Sequence, residues 1–206
     1  MTPPTKLYLL RHGEVETRYH RIFGGRIDME LSPRGHQQAR ALAAYLGGTH
    51  FNAIYASPMK RAQQTLAPLA ENHLVTAVTL ADLREVDFGE WTGLSWQQVH
   101  ERFKVAAFDW LAMLDKAAIP GAESAAQFRA RVEPCLQKIL HDCCGQTVAV
   151  VCHGGVIRML LSILLELPIT KLAGFDIEYA SATIVECEAH KNEVQLLNFT
   201  PWRDLP

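Results

Sequence analysis

The sequence predicts a doubly wound α/β fold, in which a mainly parallel sheet carries helices on both faces. Three observations predict it. Three short apolar runs end in residues that open a turn or a helix. Segments with helical periodicity lie between them. No internal repeat, low-complexity tract or linker interrupts the 206 residues, so residues 1–206 are expected to form a single domain.

The elements follow in order. Lys6–Leu10 is the first apolar run and leads into "RHGE". "SPRGHQQARALAAYLGG" places Ala39, Leu42, Ala43 and Leu46 at helical spacing. Ser32 and Pro33 suit a helix N-cap and first turn, and Gly47-Gly48 suits its stop. Phe51–Ala56 is the second run, and "SPMKRAQQTLAPLAENH" starts a helix in the same way. The segment "GEWTGLSWQQVHERFKVAAFDWLAMLDKAAIPGAES" reads as short helices, and Ser124–Leu140 as a further one. Thr147–Cys152 is the third run. "GGVIRMLLSILLEL" is apolar on nearly all sides and predicts a core helix. "ATIVECEAHKNEVQLLNFT" predicts a hairpin around Lys191-Asn192 at a sheet edge.

Composition narrows the function. The chain is 49% hydrophobic, enough for a sizeable core. Its 20 basic and 22 acidic residues leave a net charge of −2, which argues against nucleic acid or a membrane surface as partner. Five cysteines, an odd count without framework spacing, fit reduced thiols in a cytoplasmic protein. "MTPPTKLYLLRHGE" is not a secretory signal. The longest apolar stretch, Val156 to Leu167, is too short for a membrane span and contains Arg158 and Glu166.

Ligands of open α/β sheets bind beyond the carboxyl ends of the strands. There the three runs supply Arg11 and His12, then Arg61 in the first turn of a helix, then His153 with Gly154-Gly155 opening another. One histidine after a strand is usually a polar cap, and one arginine near a helix start is usually solvated or paired. Three such endings on one rim instead form an anion site, and phosphate is the best match. A carboxylate for proton transfer has four candidates, Asp82, Glu85, Asp87 and Glu90. Spacing alone leaves all four open, along with an ordinary solvated loop.

At this point the chain resembles the histidine phosphatase superfamily, the phosphoglycerate-mutase-like proteins. The motifs that carry the resemblance are "LLRHGE" at 9–14, "GGRIDMELSPRGHQQA" at 24–39, "SPMKRAQQT" at 57–65, "LREVDFGEWTG" at 83–93 and "VVCHGG" at 150–155. The resemblance implies that fold and phosphoryl transfer through a phosphohistidine. It implies His12 as nucleophile, Glu85 as proton donor and acceptor, and Arg11, Arg61, His153 and Gly154 as phosphate-binding residues. Arg18 and Gly25 are the candidate substrate-binding positions. Two positions depart from the family pattern: Val15 stands where a small hydroxyl residue often follows "RHGE", and Arg18 where an asparagine is common.

The chemistry implied is metal-independent and needs no cofactor, because arginines supply the positive charge. His12 attacks phosphorus in line, its other nitrogen held by a backbone carbonyl of the Gly13 loop. Gly13 is expected to allow a tight turn and close backbone approach. Glu85 must enter as the acid, so activity is expected to favour neutral to mildly acidic pH.

Other residues have quieter readings. Arg158 and Ser162, one helical turn apart, suggest a buried polar pair behind the His153 loop. Trp91, Trp96 and Trp110 are core residues by default and pocket-lining candidates by position. Cys143, Cys144, Cys152 and His153 match no common zinc spacing.

A phosphomonoesterase is the first functional reading. A mutase-type phosphotransferase of the same family is second, disfavoured by the short segment after Glu85, which carries no paired arginines. A catalytically silent binding protein of this fold is third, and a metal-dependent hydrolase fourth. "VDFGEWTGLSW" and "PGAESAAQFRARV" resemble the branch with α-ribazole phosphatases and broad-specificity phosphatases. That makes α-ribazole 5′-phosphate, from cobalamin synthesis, the leading specific substrate. The partner is a small phosphorylated metabolite, and the apolar helices leave room for a homodimer.

Overall fold

Six strands form one sheet in the order β3-β2-β4-β1-β5-β6. The structure is a computed structural model and describes residues 3–73 and 75–205. The strands are β1 (Thr5–Arg11), β2 (Ala53–Ala56), β3 (Val78–Thr79), β4 (Thr147–Cys152), β5 (Ala182–Cys187) and β6 (Asn192–Phe199). The first four run parallel, and β5 and β6 close one edge as an antiparallel hairpin. The three expected strands are all present, with β1 a residue longer at each end and β2 two residues shorter at its start. The hairpin turns where expected, with the Glu188 N–H donating to the Lys191 carbonyl.

The helices are α1 (Pro33–Leu46), α2 (Lys60–Glu71), α3 (Trp96–Phe103), α4 (Trp110–Asp115), α5 (Ala125–Asp142), α6 (Gly154–Leu164) and α7 (Pro201–Asp204). They cover both faces because successive strand residues point opposite ways. On β4, Val148, Val150 and Cys152 join a core with Phe128 and Leu136 of α5 and Ile157 and Leu161 of α6. Ala149 and Val151 join Leu42 and Leu46 of α1 and Leu66 and Leu69 of α2 on the other face. Each large aliphatic side chain buried this way contributes about 1.5–3 kcal/mol. The sheet therefore holds its loops on a rigid frame. Among the described residues, no helix is long and apolar enough to cross a membrane.

Local chemistry sets the helix starts. Ser32 Oγ accepts the Gly35 N–H at 3.0 Å, with Pro33 in the first turn. Ser95 and Ser124 form capping boxes with Gln98 and Gln127. The expectation for α2 needs correction: it begins at Lys60, and its N-cap is Met59 without a side-chain bond. Ser57 is not the cap, because its hydroxyl is 2.7 Å from Nε2 of His153.

The strand order brings the functional loops together. β4 lies between β2 and β1, so three carboxyl ends share one rim. The rim is stitched by main-chain bonds: the His12 N–H donates to Cys152 O at 3.0 Å and the Ser57 N–H to Val151 O at 2.9 Å. Gly13 packs against Gly35, where a Cβ would stand 2.6 Å from the Gly35 carbonyl oxygen. Its φ lies outside the left-handed region, so close packing and not a special turn requires glycine there.

Candidate active site

A cleft of about 190 Å³ opens at this rim. His12, directly after β1, reaches it from an almost fully buried position. Its Nδ1 is 2.8 Å from the Gly13 carbonyl oxygen, an acceptor that fixes the proton on Nδ1. Nε2 then keeps its lone pair. Burial first, then the Arg61 and Arg11 charges, hold this imidazole well below the usual histidine range, so it stays neutral.

Arg61 sits in the first turn of α2, as its sequence position predicts. Nη1 donates to Ile27 O at 2.8 Å and Nη2 to Gly25 O at 2.9 Å. Its Nε–H is 3.2 Å from both Nε2 of His12 and Nδ1 of His153. Burial lowers its pKa to about 10, which still leaves it charged at neutral pH. Gly25 lines the cleft with φ +46°, and its carbonyl is an anchor for Arg61. Thr65 ties α2 to the first motif, accepting the Gly13 N–H at 2.9 Å and donating to Arg61 O at 2.7 Å.

Arg11 lies over the Tyr179 ring, 4.1 Å from its centroid, and donates through Nη1 to the Ile177 carbonyl. Its Nε is buried and, among the described residues, has no partner. Arg158 is a third guanidinium in the cleft. It donates to the carbonyls of Leu172 (3.3 Å), Gly154 (3.3 Å) and Phe175 (2.9 Å). It does not pair with Ser162, whose hydroxyl donates instead to Leu167 O at 2.6 Å. Among the described residues, no carboxylate lies within 4.0 Å of Arg11, Arg61 or Arg158. Arg61 is buried and Arg11 and Arg158 are half-buried, and three arginines face one lining carboxylate, Glu85, so the cleft carries excess positive charge until an anion arrives.

His153 caps α6 from a fully buried position. It sits behind Arg61 and outside the residues that line the cleft, which do include Gly154. Accepting at Nδ1 from Arg61, it carries its proton at Nε2 and donates to Ser57 Oγ. Burial and the arginine charges keep it neutral too.

The structure separates the four carboxylates. Asp82 is exposed beside Arg84, Asp87 pairs with Arg26 at 3.2 Å, and Glu90 faces Arg102 at 3.5 Å. Only Glu85 among them lines the cleft. Its Oε1 accepts the Val86 N–H at 2.9 Å and its Oε2 the Gly155 N–H at 3.1 Å. Arg131 of α5 clamps this segment, donating to the carbonyls of Asp82, Arg84 and Glu85 and pairing with Glu123 at 2.6 Å.

The remaining candidates divide. Val15, Trp96 and Trp110 line the cleft, whereas Trp91 is fully buried in the core. Arg18 is turned outward, 3.0 Å from Glu16, and is not among the lining residues. Among the described residues, no three His, Cys, Asp or Glu side chains form a metal-holding cluster. Sequence reasoning missed Ser57, Thr65, Arg131 and Tyr179. It gave Arg158 no place in the cleft.

Comparison with known proteins agrees with the fold. The family model described as histidine phosphatase superfamily (branch 1) matches residues 7–200. Phosphoserine phosphatase 1 of Hydrogenobacter thermophilus is 32% identical over 95% of this chain and 92% of its own. The adenosylcobalamin/alpha-ribazole phosphatase of Salmonella typhimurium is 26% identical over 96% of this chain and 98% of its own. Among solved structures, a mycobacterial glucosyl-3-phosphoglycerate phosphatase superposes with a TM-score of 0.87 at 27% identity, covering 95% and 99% of the two chains.

Proposed function

The chain belongs to the histidine phosphatase superfamily, and from that premise we propose that it hydrolyses phosphate monoesters through a phosphohistidine at His12, without a metal. The observation that carries this reading is the neutral Nε2 of His12 in a cleft where three arginines face one carboxylate, Glu85. A dianionic phosphate supplies the missing counter-charge. It also gives the orphaned Arg11 Nε an acceptor.

The steps follow from the residues. The Arg61 Nε–H moves from His12 to a phosphate oxygen, freeing the Nε2 lone pair. Nε2 bonds to phosphorus in line as the ester P–O bond breaks. Glu85, in its acid form, passes its proton to the leaving alkoxide. The Gly13 carbonyl stabilises the positive charge that develops on the ring. Water then attacks phosphorus, giving its proton to Glu85 as the P–N bond breaks. Inorganic phosphate leaves and His12 is neutral again.

For the specific substrate we keep α-ribazole 5′-phosphate as first candidate. Relatives named adenosylcobalamin/alpha-ribazole phosphatase support it at 25–26% identity over nearly the whole chain. Phosphoserine is the second, favoured by the 32% identity to a phosphoserine phosphatase. The activity is tested by hydrolysis of para-nitrophenyl phosphate at mildly acidic pH with excess EDTA. Wild-type turnover that vanishes in His12→Ala is expected. Turnover that needs a metal, or that survives in His12→Ala, contradicts the reading.

A further inference from the structure

We infer that the leaving-group side of this cleft binds a flat apolar group, so that its preferred substrates are monoesters of aromatic-bearing alcohols. The inference rests on the phosphatase reading and adds the chemical class of the alcohol.

The charges in the cleft are segregated. Arg11 and Arg158 are pinned to carbonyls of the 172–177 segment, and Arg61 to those of Gly25 and Ile27. Glu85 is pinned to the α6 N-terminus through Gly155. Arg61 and Arg158 each feel the charges of Arg11 and Glu85, so the four cluster, and we assign them to the phosphate end. The rest of the wall is mostly apolar, with Val15, Ile22, Trp96 and Trp110 and the nearly buried Phe23 and Phe88, and it also carries Tyr19 and Tyr179.

These aromatics form a row. Phe23 meets Phe88 edge-on at 4.9 Å between ring centroids, and Phe88 meets Trp110 at 5.3 Å. Trp96 stands at the mouth and is 53% exposed, a large apolar surface next to a binding site. Covering it with an apolar group releases water from both surfaces.

The same wall disfavours polar alcohols. An ammonium or carboxylate beside the ester would lose water and find no charged partner among the lining side chains outside the phosphate end. Arg18, the nearby guanidinium that sequence position offered, is held by Glu16 instead. An ammonium would also face three arginines with one carboxylate, Glu85, among the lining residues.

The test compares primary alkyl monoesters, so that aryl leaving-group reactivity does not enter. kcat/KM for phenethyl phosphate should exceed that for phosphoserine by about tenfold or more. That ratio should shrink severalfold in Trp96→Ala and in Trp110→Ala. A second arm needs no turnover: phenethyl phosphonate and methylphosphonate are titrated against tryptophan fluorescence. The phenethyl compound should bind about tenfold tighter. Equal affinities, equal or better phosphoserine turnover, or a ratio unchanged in both tryptophan variants would overturn the inference. If no ester is hydrolysed, the phosphatase reading fails, and the phosphonate titration still decides the nature of the wall.

Discussion

Gly155 and Glu85 fit together only because residue 155 has no side chain. The Gly155 N–H donates to Oε2 of Glu85 at 3.1 Å, and a Cβ on Gly155 would stand 2.4 Å from Oε1. The glycine that opens α6 thus sets the position of the proposed acid.

Gly155→Ala is expected to displace the Glu85 carboxyl while leaving α6 intact, since alanine favours helix. kcat should fall by roughly 10²–10⁴, the usual worth of acid–base catalysis, with little change in Tm. Glu85→Gln should fall in the same range. The double variant should be no worse than either single one, because both remove the same proton transfer. Full activity in Gly155→Ala would show that the carboxyl works from elsewhere.

The two buried histidines make stability depend on pH. His12 and His153 are held neutral in the folded chain, below the usual histidine range. In the unfolded chain they titrate near pH 6.5. Below that pH the unfolded state binds more protons, so stability falls as pH falls. The loss is up to about 1.4 kcal/mol per pH unit for each histidine, until the folded-state imidazole itself titrates. Denaturant titrations at about pH 7.5 and pH 5.5 should show it, and His153→Asn should remove roughly half of the histidine contribution. A pH dependence identical in wild type and variant would contradict the burial argument.

Arg131 and Arg129, two residues apart on α5, should behave differently. Arg131 and its partner Glu123 are 12% and 10% exposed, and Arg131 also holds three carbonyls of the Glu85 segment. Arg131→Ala leaves Glu123 with the Asp87 N–H and Arg26 at 3.9 Å and frees three carbonyls, and should cost about 1–3 kcal/mol of stability, with lower kcat. Arg129 pairs with Glu133 on the open face, at 47% and 31% exposure. Arg129→Ala should cost no more than about 0.5 kcal/mol. Urea denaturation of both variants checks the contrast.

Much of this architecture was legible in the sequence, because strands and rim residues lie together in the chain. β1 carries Arg11 and His12 at its end, and β4 runs into His153, so apolar runs revealed both. Glu85 was different. Four carboxylates lie within nine residues, and only their partners in space single out one. Ser57 looked like a helix cap because Ser-Pro is a common helix start, yet His153 from 96 residues away takes its hydroxyl. Arg158 was misread for a similar reason. A helical turn links it to Ser162, but its acceptors are the Gly154 carbonyl and two carbonyls of the segment after α6. Arg131 gave no local signal, since its targets lie 46–49 residues away.

The most direct test of His12 as nucleophile is to trap the intermediate. Glu85→Gln enzyme would be mixed with para-nitrophenyl phosphate in EDTA, quenched rapidly in base, and analysed by peptide mass spectrometry. One phosphoryl group on the peptide containing His12, absent in the His12→Ala/Glu85→Gln double variant, is the predicted result. A phosphoryl group on another residue, or product released with no phosphoenzyme while His12→Ala still turns over, would contradict it.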